Sequence, residues 1–304
     1  MRLSPLAYRR VTLGALVALC GIVVTGAAVR LTGSGLGCSD WPTCEAGQFH
    51  ASLEFHPMVE YVNRLLTGAV SIAVILAVGG SLLRQPRRRD LTRWSWALVL
   101  GVVAQILIGA AVTLSDLAYS MVGIHFVVSM VLVWAATVLH HRAGIPDDVY
   151  AAERGHVHWP VADRWMIGLA AAILLTGPVV TSAGPHAGDQ EVRRLPLDVG
   201  WTARVHSVVV WMFLIAVVVR ALQARRSGDA TTMRRVTDLL VAAVAQGAIG
   251  YAQYFSGVPP LLVGLHVAGA TLVWVLAIRV GLSSARPIAT PTTVPADHTV
   301  ASRA

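Results

Sequence analysis

Long apolar runs separated by short polar segments dominate the sequence. A helix needs about 20 apolar residues to cross the hydrocarbon core of a bilayer. Runs of that length cover residues 10–29, 59–83, 94–115, 118–140, 164–184, 199–220, 236–256 and 260–282. Each run can satisfy its own backbone hydrogen bonds as a helix, which lipid requires. The pattern therefore predicts an all-α membrane protein with eight transmembrane helices.

The composition agrees with this pattern and argues against a soluble fold. Hydrophobic residues make up 55% of the 304 residues and charged residues 13%, and the mean hydropathy is +0.64. The net charge of +8 raises the question of a nucleic-acid ligand. However, all 24 basic residues are arginines, and most lie at the ends of apolar runs. They are therefore interpreted as signals of membrane topology, and no nucleic-acid partner is predicted.

The distribution of arginines also predicts the orientation of the chain. With the N-terminus inside, 19 of the 24 arginines fall on the cytoplasmic side. Because cytoplasmic segments carry the excess of positive charge, both termini are predicted to be cytoplasmic and the chain to cross the cell membrane several times. Residues 284–304, rich in Pro, Thr and Ala, are predicted to form a disordered cytoplasmic tail.

An internal repeat links the two halves of the sequence. Shifting the chain by 141 residues aligns residues 104–125 with 245–266, and nine of these 22 positions are identical. The aligned segments end at His125 and His266. An offset of four spans preserves orientation, so the repeat predicts two pseudo-symmetric four-helix bundles related by an axis along the membrane normal.

The repeat divides the chain into two predicted units. Residues 1–141 form the N-terminal four-helix half and residues 164–283 the C-terminal half, joined by a cytoplasmic linker at residues 142–163. A polar segment at residues 30–58 forms the longest predicted outer loop. Each half can carry its own site.

Three histidines lie inside predicted spans, where ionisable side chains are costly and usually face an interior site. His125, His206 and His266 each lie six to eight residues from the outer end of their run, about 10 Å along a helix. Histidines at one depth on neighbouring helices are suited to bind haem iron as axial ligands. The alternative is that each is a hydrogen-bonded core residue.

The halves differ at the position where the repeat predicts a fourth histidine. The second span has Asn63 as the counterpart of His206, and asparagine is a poor ligand for haem iron. His206 and His266 can therefore hold both faces of a haem in the C-terminal half, whereas His125 holds one face in the N-terminal half. A six-coordinate haem suits electron storage, and a haem with one axial position open suits reaction or ligand exchange. His56 in the outer loop is an alternative ligand.

Glu60 precedes Asn63 by one helical turn and Arg64 by four residues. A carboxylate beside the reacting edge of a porphyrin can relay protons and stabilise positive charge, which makes Glu60 the candidate catalytic residue. The alternative is an ion pair with Arg64. Arg64 and Arg204 lie at matching places in two spans and are candidates for pairing with haem propionates, because arginine matches carboxylate geometry.

Cys38 and Cys44 lie in the outer loop, on the oxidising side of the predicted topology. The short separation, with Pro42 between them, is compatible with a disulfide. Whether such a bond is a structural staple or a redox-active pair is left open by the sequence.

Two of these segments together with the histidine spans resemble the haem A synthase family. The segments are residues 30–44 (RLTGSGLGCSDWPTC) and residues 60–68 (EYVNRLLTG), and the resemblance covers residues 11–280. It implies two four-helix halves, with a b-type haem as cofactor in the C-terminal half and substrate haem O in the N-terminal half. The implied reaction oxidises the C8 methyl of haem O to a formyl group through a hydroxymethyl intermediate, in two two-electron steps.

The resemblance also implies roles for individual residues. Glu60 matches the catalytic carboxylate of the family, and the outer cysteines match its cysteine pair. His125, His206 and His266 match three of its four helix histidines, and the fourth position holds Asn63. Asn63, His125 and Arg64 thus belong to the implied substrate site.

Two other functions are compatible with some of these features. A dihaem b-type electron carrier, such as a quinol-linked cytochrome, also uses histidines on antiparallel helices, and a transporter can also be built from repeated halves. Pathway logic implies haem O synthase and cytochrome oxidase assembly factors as partners, beside the lipid membrane. Homo-oligomer formation is left open.

Overall fold

Helices account for nearly all of the structure, a computed structural model that describes residues 2–45, 47–152, 157–158, 160–189, 191–284 and 286–287. In chain order the described helices are α1 Pro5–Leu31, α2 Phe55–Leu83, α3 Arg89–Leu114, α4 Tyr119–Ala143, α5 Asp147–Ala152, α6 Val161–Ala183, α7 Val199–Arg226, α8 Ala230–Phe255 and α9 Pro260–Ser284. Two short strands, β1 Val157–His158 and β2 Arg286–Pro287, pair antiparallel. The predicted tail lies almost entirely outside the described residues, as does part of the predicted linker.

Polar side chains mark the starts of several helices. Ser4 accepts a hydrogen bond from the main-chain N–H of Ala7, and Pro5 occupies the first position of α1. Asp198 and Asp229 cap α7 and α8 in the same way. These residues satisfy main-chain N–H groups that the first helical turn leaves free, so the local sequence fixes where the helices begin.

Seven of the described helices are long and apolar enough to cross a membrane, namely α1, α2, α3, α4, α6, α7 and α9. The chain is therefore an all-α, multi-pass membrane protein. Helix α8 has 26 residues but does not meet the same standard of hydropathy. Its first turns carry Arg234, Arg235 and Asp238, and its second half carries Gln246 and Gln253, which lowers its mean hydropathy.

Helix packing follows the order of the chain. Helix α1 packs on α2 and α4, and α3 packs on both α2 and α4; the helices α6 to α9 repeat these neighbours. The two groups meet where α9 contacts α1 and α4, and where α4 contacts α6. At this junction the indole N–H of Trp274 donates to the main-chain carbonyl of Met130 at 2.9 Å in the buried core.

The turns between α3 and α4 and between α8 and α9 share an unusual backbone conformation. Asp116 and Leu117 have φ values of 51° and 56°, and Gly257 and Val258 have values of 78° and 60°. The two pairs are 141 residues apart, which is the offset of the sequence repeat. Positive φ strains branched residues such as leucine and valine, so its recurrence at matching positions extends the repeat from sequence to backbone.

Candidate functional site

The three predicted iron ligands and Asn63, which stands where the repeat predicts a fourth, lie near the starts of four helices. Asn63 is on α2, His125 on α4, His206 on α7 and His266 on α9. All three histidines are half-buried, and each lies six or seven residues after the first residue of its helix. That distance corresponds to about 10 Å along the helix axis.

The surroundings of His125 and His266 are built alike. Gln105 on α3 donates its side-chain amide to the main-chain carbonyl of His125 at 2.9 Å, and Gln246 on α8 donates to that of His266 at 2.6 Å. In both places the ring Nδ1 and the glutamine Oε1 are buried and have no partner among the described residues. The repeat thus reproduces both the contact and the unsatisfied polar atoms.

Each of these rings also lies against a glycine of the preceding helix. A Cβ atom on Gly109 would lie 3.6 Å from Cε1 of His125, and one on Gly250 would lie 3.0 Å from Cε1 of His266. The shorter distance is below ordinary van der Waals contact, so a side chain at residue 250 would displace the ring. These glycines set the positions of the two imidazoles.

His206 has a different neighbour, the hydroxyl of Thr176 on α6. The Oγ1 of Thr176 lies 2.8 Å from Nδ1 of His206, and a Cβ atom on Gly177 would lie 3.6 Å from the ring. A hydrogen bond to Nδ1 fixes the orientation of an imidazole and directs Nε2 toward a metal. The geometry around His206 is therefore that of an oriented ligand.

Asn63 occupies the corresponding place between α1 and α2. The hydroxyl of Thr25 donates to Oδ1 of Asn63 at 2.9 Å, as Thr176 bonds His206. Apart from the adjacent residues and backbone of α1, no atom of the described residues lies within 4 Å of a Cβ atom on Gly26, the residue after Thr25. A Thr-Gly pair is thus present on both α1 and α6. The side chain of Asn63 is smaller than an imidazole and leaves the space beside Gly26 open.

Two of the histidines are suited to share one metal ion or porphyrin. His206 on α7 and His266 on α9 lie at similar depths in one helix group, about 10 Å from the starts of their helices. Nδ1 of His206 is bonded to Thr176, and Nδ1 of His266 has no partner among the described residues, so each ring can offer Nε2 as a ligand. The donor set fits a six-coordinate haem, which requires two imidazoles from facing helices.

Glu60 is buried near the N-terminus of α2 and is held on both carboxylate oxygens. Its Oε2 accepts the main-chain N–H of Cys38 at 2.8 Å. Its Oε1 accepts Nη2 of Arg64 at 2.7 Å and Nε at 3.2 Å. The ion pair that the spacing allows is therefore present, and the outer loop adds a contact that the spacing did not indicate.

The two arginines predicted to bind propionates differ in their surroundings. Arg64 also donates from Nη1 to the carbonyls of Asp40 and Thr43, both at 2.9 Å, which ties the outer loop to α2. Arg204 is exposed, and its only hydrogen bond among the described residues runs from Nε to the carbonyl of Gly200 at 3.0 Å. Arg204 therefore keeps more donors free for an external anion.

A disulfide joins Cys38 and Cys44, in agreement with the sequence prediction. Both cysteines are buried, and Cys38 also supplies the N–H that binds Glu60. The disulfide thus closes the loop that covers the carboxylate. His56, the alternative ligand, is exposed and bonded through Nδ1 to Ser34 at 2.9 Å.

Several residues at the site were not assigned a role from the sequence. Gln105, Gln246 and Thr176 have roles only through contacts between helices, although the repeat aligns Gln105 with Gln246 as identical residues. Arg30 donates from Nη2 to the carbonyl of Thr181 at 3.0 Å, and its Nε is buried with no partner in the described part of the chain. The sequence feature that could have indicated a role for Arg30 is its place on the predicted outer side, where few of the arginines lie.

Comparisons with known proteins place these features in context. The model of a family described as cytochrome oxidase assembly protein (COX15-CtaA) matches residues 9–278. The haem A synthase of Lysinibacillus sphaericus is 30% identical over 129 residues, covering 42% of this chain and 41% of that protein. The haem A synthase of Oceanobacillus iheyensis is 34% identical over 100 residues, covering 32% of each chain. The matches thus span about a third to two fifths of the length of these curated relatives.

Proposed function

Because the chain belongs to the cytochrome oxidase assembly protein family, we propose that it is a haem A synthase. The proposed reaction oxidises the C8 methyl of haem O to a formyl group through a hydroxymethyl intermediate, in two two-electron steps. The observation that carries this proposal is the unequal repetition of the site. One histidine position is replaced by Asn63, one helical turn from the buried carboxylate of Glu60.

The proposed architecture has eight spans in two pseudo-symmetric four-helix bundles. Residues 1–141 form one bundle and residues 164–283 the other. The repeated helix contacts and the matching positive-φ turns support this division. With 26 residues, α8 is long enough to be the eighth span, at about 1.5 Å per residue. The bundles lie in the cell membrane with both termini cytoplasmic.

His206 and His266 hold haem b in the C-terminal bundle, and Arg204 pairs with one of its propionates. Bound there, this cofactor supplies one-electron transfer. The protein contributes the orientation of the rings. Thr176 fixes the ring of His206, and the close packing of Gly250 fixes the ring of His266.

His125, Asn63 and Arg64 bind the substrate haem O in the N-terminal bundle. His125 would bind the iron, and Asn63 would offer it no imidazole. Glu60 takes a proton during oxidation of the methyl group. Its Oε2 accepts a main-chain N–H and its Oε1 accepts the side chain of Arg64, and we assign the proton to Oε1, where it would replace the bonds from Arg64. Arg64 then becomes free to pair with a propionate.

The pathway indicates further partners. Haem O is made by a farnesyl-transferring haem O synthase, so a complex with that enzyme would deliver the substrate within the membrane. Assembly factors of cytochrome oxidase would accept the product. Association of copies of the chain is compatible with this scheme.

Pigment extraction after expression in a host that makes haem O tests the proposed function. We expect haem A to accumulate with the intact chain and to be absent with an empty vector, as measured by reversed-phase chromatography. A dihaem electron carrier would yield haem B without haem A. A transporter would change the amount of haem in each compartment but not its chemical form. Either of these results would reject the proposed reaction.

Restoring the missing histidine should change the substrate site. Asn63→His places an imidazole beside Thr25, where its Nδ1 can use the hydroxyl as His206 uses Thr176. We expect a second tightly held haem that roughly doubles the low-spin absorbance, together with slower formation of haem A. Asn63→Gln is the matched control, since it keeps the amide without the ring. An unchanged spectrum in Asn63→His would contradict the placement of the substrate iron.

A further inference from the structure

A cavity of about 740 Å³ lies where α2 ends and α3 begins, away from the histidines and Glu60. It is lined by Leu82, Arg87, Arg88, Arg89, Thr92, Arg93, Trp96, Ala97 and Leu100. Its size falls within the range of small-molecule sites. Nothing in the proposed reaction uses it.

One end of the cavity is strongly cationic. Arg87, Arg89 and Arg93 are exposed, and none of them forms an ion pair with another described residue. The neighbouring Arg88 is buried and is neutralised by Asp90 at 2.9 Å. Arg87, Arg89 and Arg93 therefore present positive charge to the cavity, and no acidic side chain in the described part of the protein balances this charge.

The other end of the cavity is apolar and open to the surroundings. Trp96 and Leu100 have exposed fractions of 51% and 68%. Leu100 lies about two helical turns beyond Arg93 on α3, so the apolar wall extends from the helix end toward the middle of the span. Tryptophan is favoured at the boundary between headgroups and acyl chains, which places the arginines at the headgroup level.

We propose that this cavity is a binding site for an anionic glycerophospholipid. Arg87, Arg89 and Arg93 bind the phosphate of the headgroup, and an acyl chain lies along Trp96 and Leu100. A free phosphate would use the arginines but would leave the apolar wall exposed to solvent or detergent. The charge and the apolar wall together therefore favour a lipid over a soluble anion.

Native mass spectrometry of the full chain in detergent tests this site, with dioleoyl phosphatidylglycerol as the probe. We expect one phosphatidylglycerol to bind about tenfold more tightly, or better, than dioleoyl phosphatidylcholine. The triple variant Arg87→Gln, Arg89→Gln, Arg93→Gln should weaken phosphatidylglycerol binding about 100-fold, because each arginine near a membrane surface contributes about a fivefold change. Excess inorganic phosphate should not displace the lipid.

A control with the same loss of charge distinguishes a site from general attraction. Arg225→Gln, Arg226→Gln, Arg234→Gln removes three exposed arginines near the turn between α7 and α8, and should leave the tight phosphatidylglycerol binding unchanged. Equal weakening in both triple variants would overturn the proposal, as would equal affinity for phosphatidylcholine. Displacement of the lipid by inorganic phosphate would also overturn it, since that result identifies a small-anion site.

Discussion

Glu60→Gln should abolish the formation of haem A while leaving the resident haem spectrum intact. Glutamine preserves the size of the side chain and can still accept the N–H of Cys38, but it cannot accept a proton at Oε1. Loss of a general base typically slows a reaction by about 10²- to 10⁴-fold. Haem O should therefore accumulate in the membranes at the expense of haem A, which chromatography of extracted pigments measures directly.

Glu54→Gln is the matched control for this substitution. Glu54 precedes α2, is exposed, and makes no capping hydrogen bond with its side chain. It is therefore expected to leave haem A formation unchanged. Normal haem A formation in Glu60→Gln would reject the catalytic role. Loss of both haem A and the resident haem would instead indicate that the ion pair with Arg64 serves to maintain the fold.

His206→Ala and His266→Ala should each remove the resident haem. Each substitution leaves the iron with one protein ligand and a space where the imidazole stood. Losing an outer-shell partner of a metal ligand already costs about 10- to 100-fold in affinity, and losing the ligand itself should cost more. The low-spin absorbance of the purified protein should therefore be nearly lost in both variants. Thr176→Val removes only the hydrogen bond to Nδ1 of His206 and should lower the haem affinity by about 10- to 100-fold.

His50→Ala controls for the general loss of a histidine. His50 lies in the outer loop and is exposed, so its removal should leave the spectrum unchanged. A normal low-spin spectrum in His206→Ala or His266→Ala would reject that residue as a ligand. The protein yield and the far-ultraviolet circular dichroism of each variant separate haem loss from failure to fold.

Features defined by local spacing were predictable from the sequence. The interval of four residues between Glu60 and Arg64 places both on one helical face, and the structure contains that ion pair. The disulfide between Cys38 and Cys44 was also predictable, because only a short loop separates the two thiols. In each case the partners are so close along the chain that helix or loop geometry leaves few alternatives.

Contacts that depend on helix packing were not predictable in the same way. Gln105 and Gln246 bond main-chain carbonyls, and every residue has a carbonyl, so the sequence carries no sign of which one is used. The contact between Glu60 and the N–H of Cys38 is similar, because it depends on how the outer loop folds over α2. Side-chain identity specifies that a polar group needs a partner, but tertiary packing decides which partner it receives.

For helix α8, the predicted apolar run and the observed helix have different bounds. The apolar run at residues 236–256 predicted a span, whereas the helix begins at Ala230 and includes Arg234 and Arg235. A helix that continues past the hydrocarbon core into the headgroup region takes up charged residues there, and these lower its average hydropathy. The sequence pattern identified the apolar part, and the additional turns follow from the cap at Asp229.

The hydrogen bond from Trp274 to Met130 has a consequence for dividing the polypeptide. It joins a side chain of α9 to the main chain of α4, so a buried polar group of one helix group is satisfied by the other group. A fragment ending in the linker would expose the apolar surface of α4 and leave an indole N–H on the other fragment without its acceptor. Separately synthesised fragments would have to reassociate before either acquired a native interior.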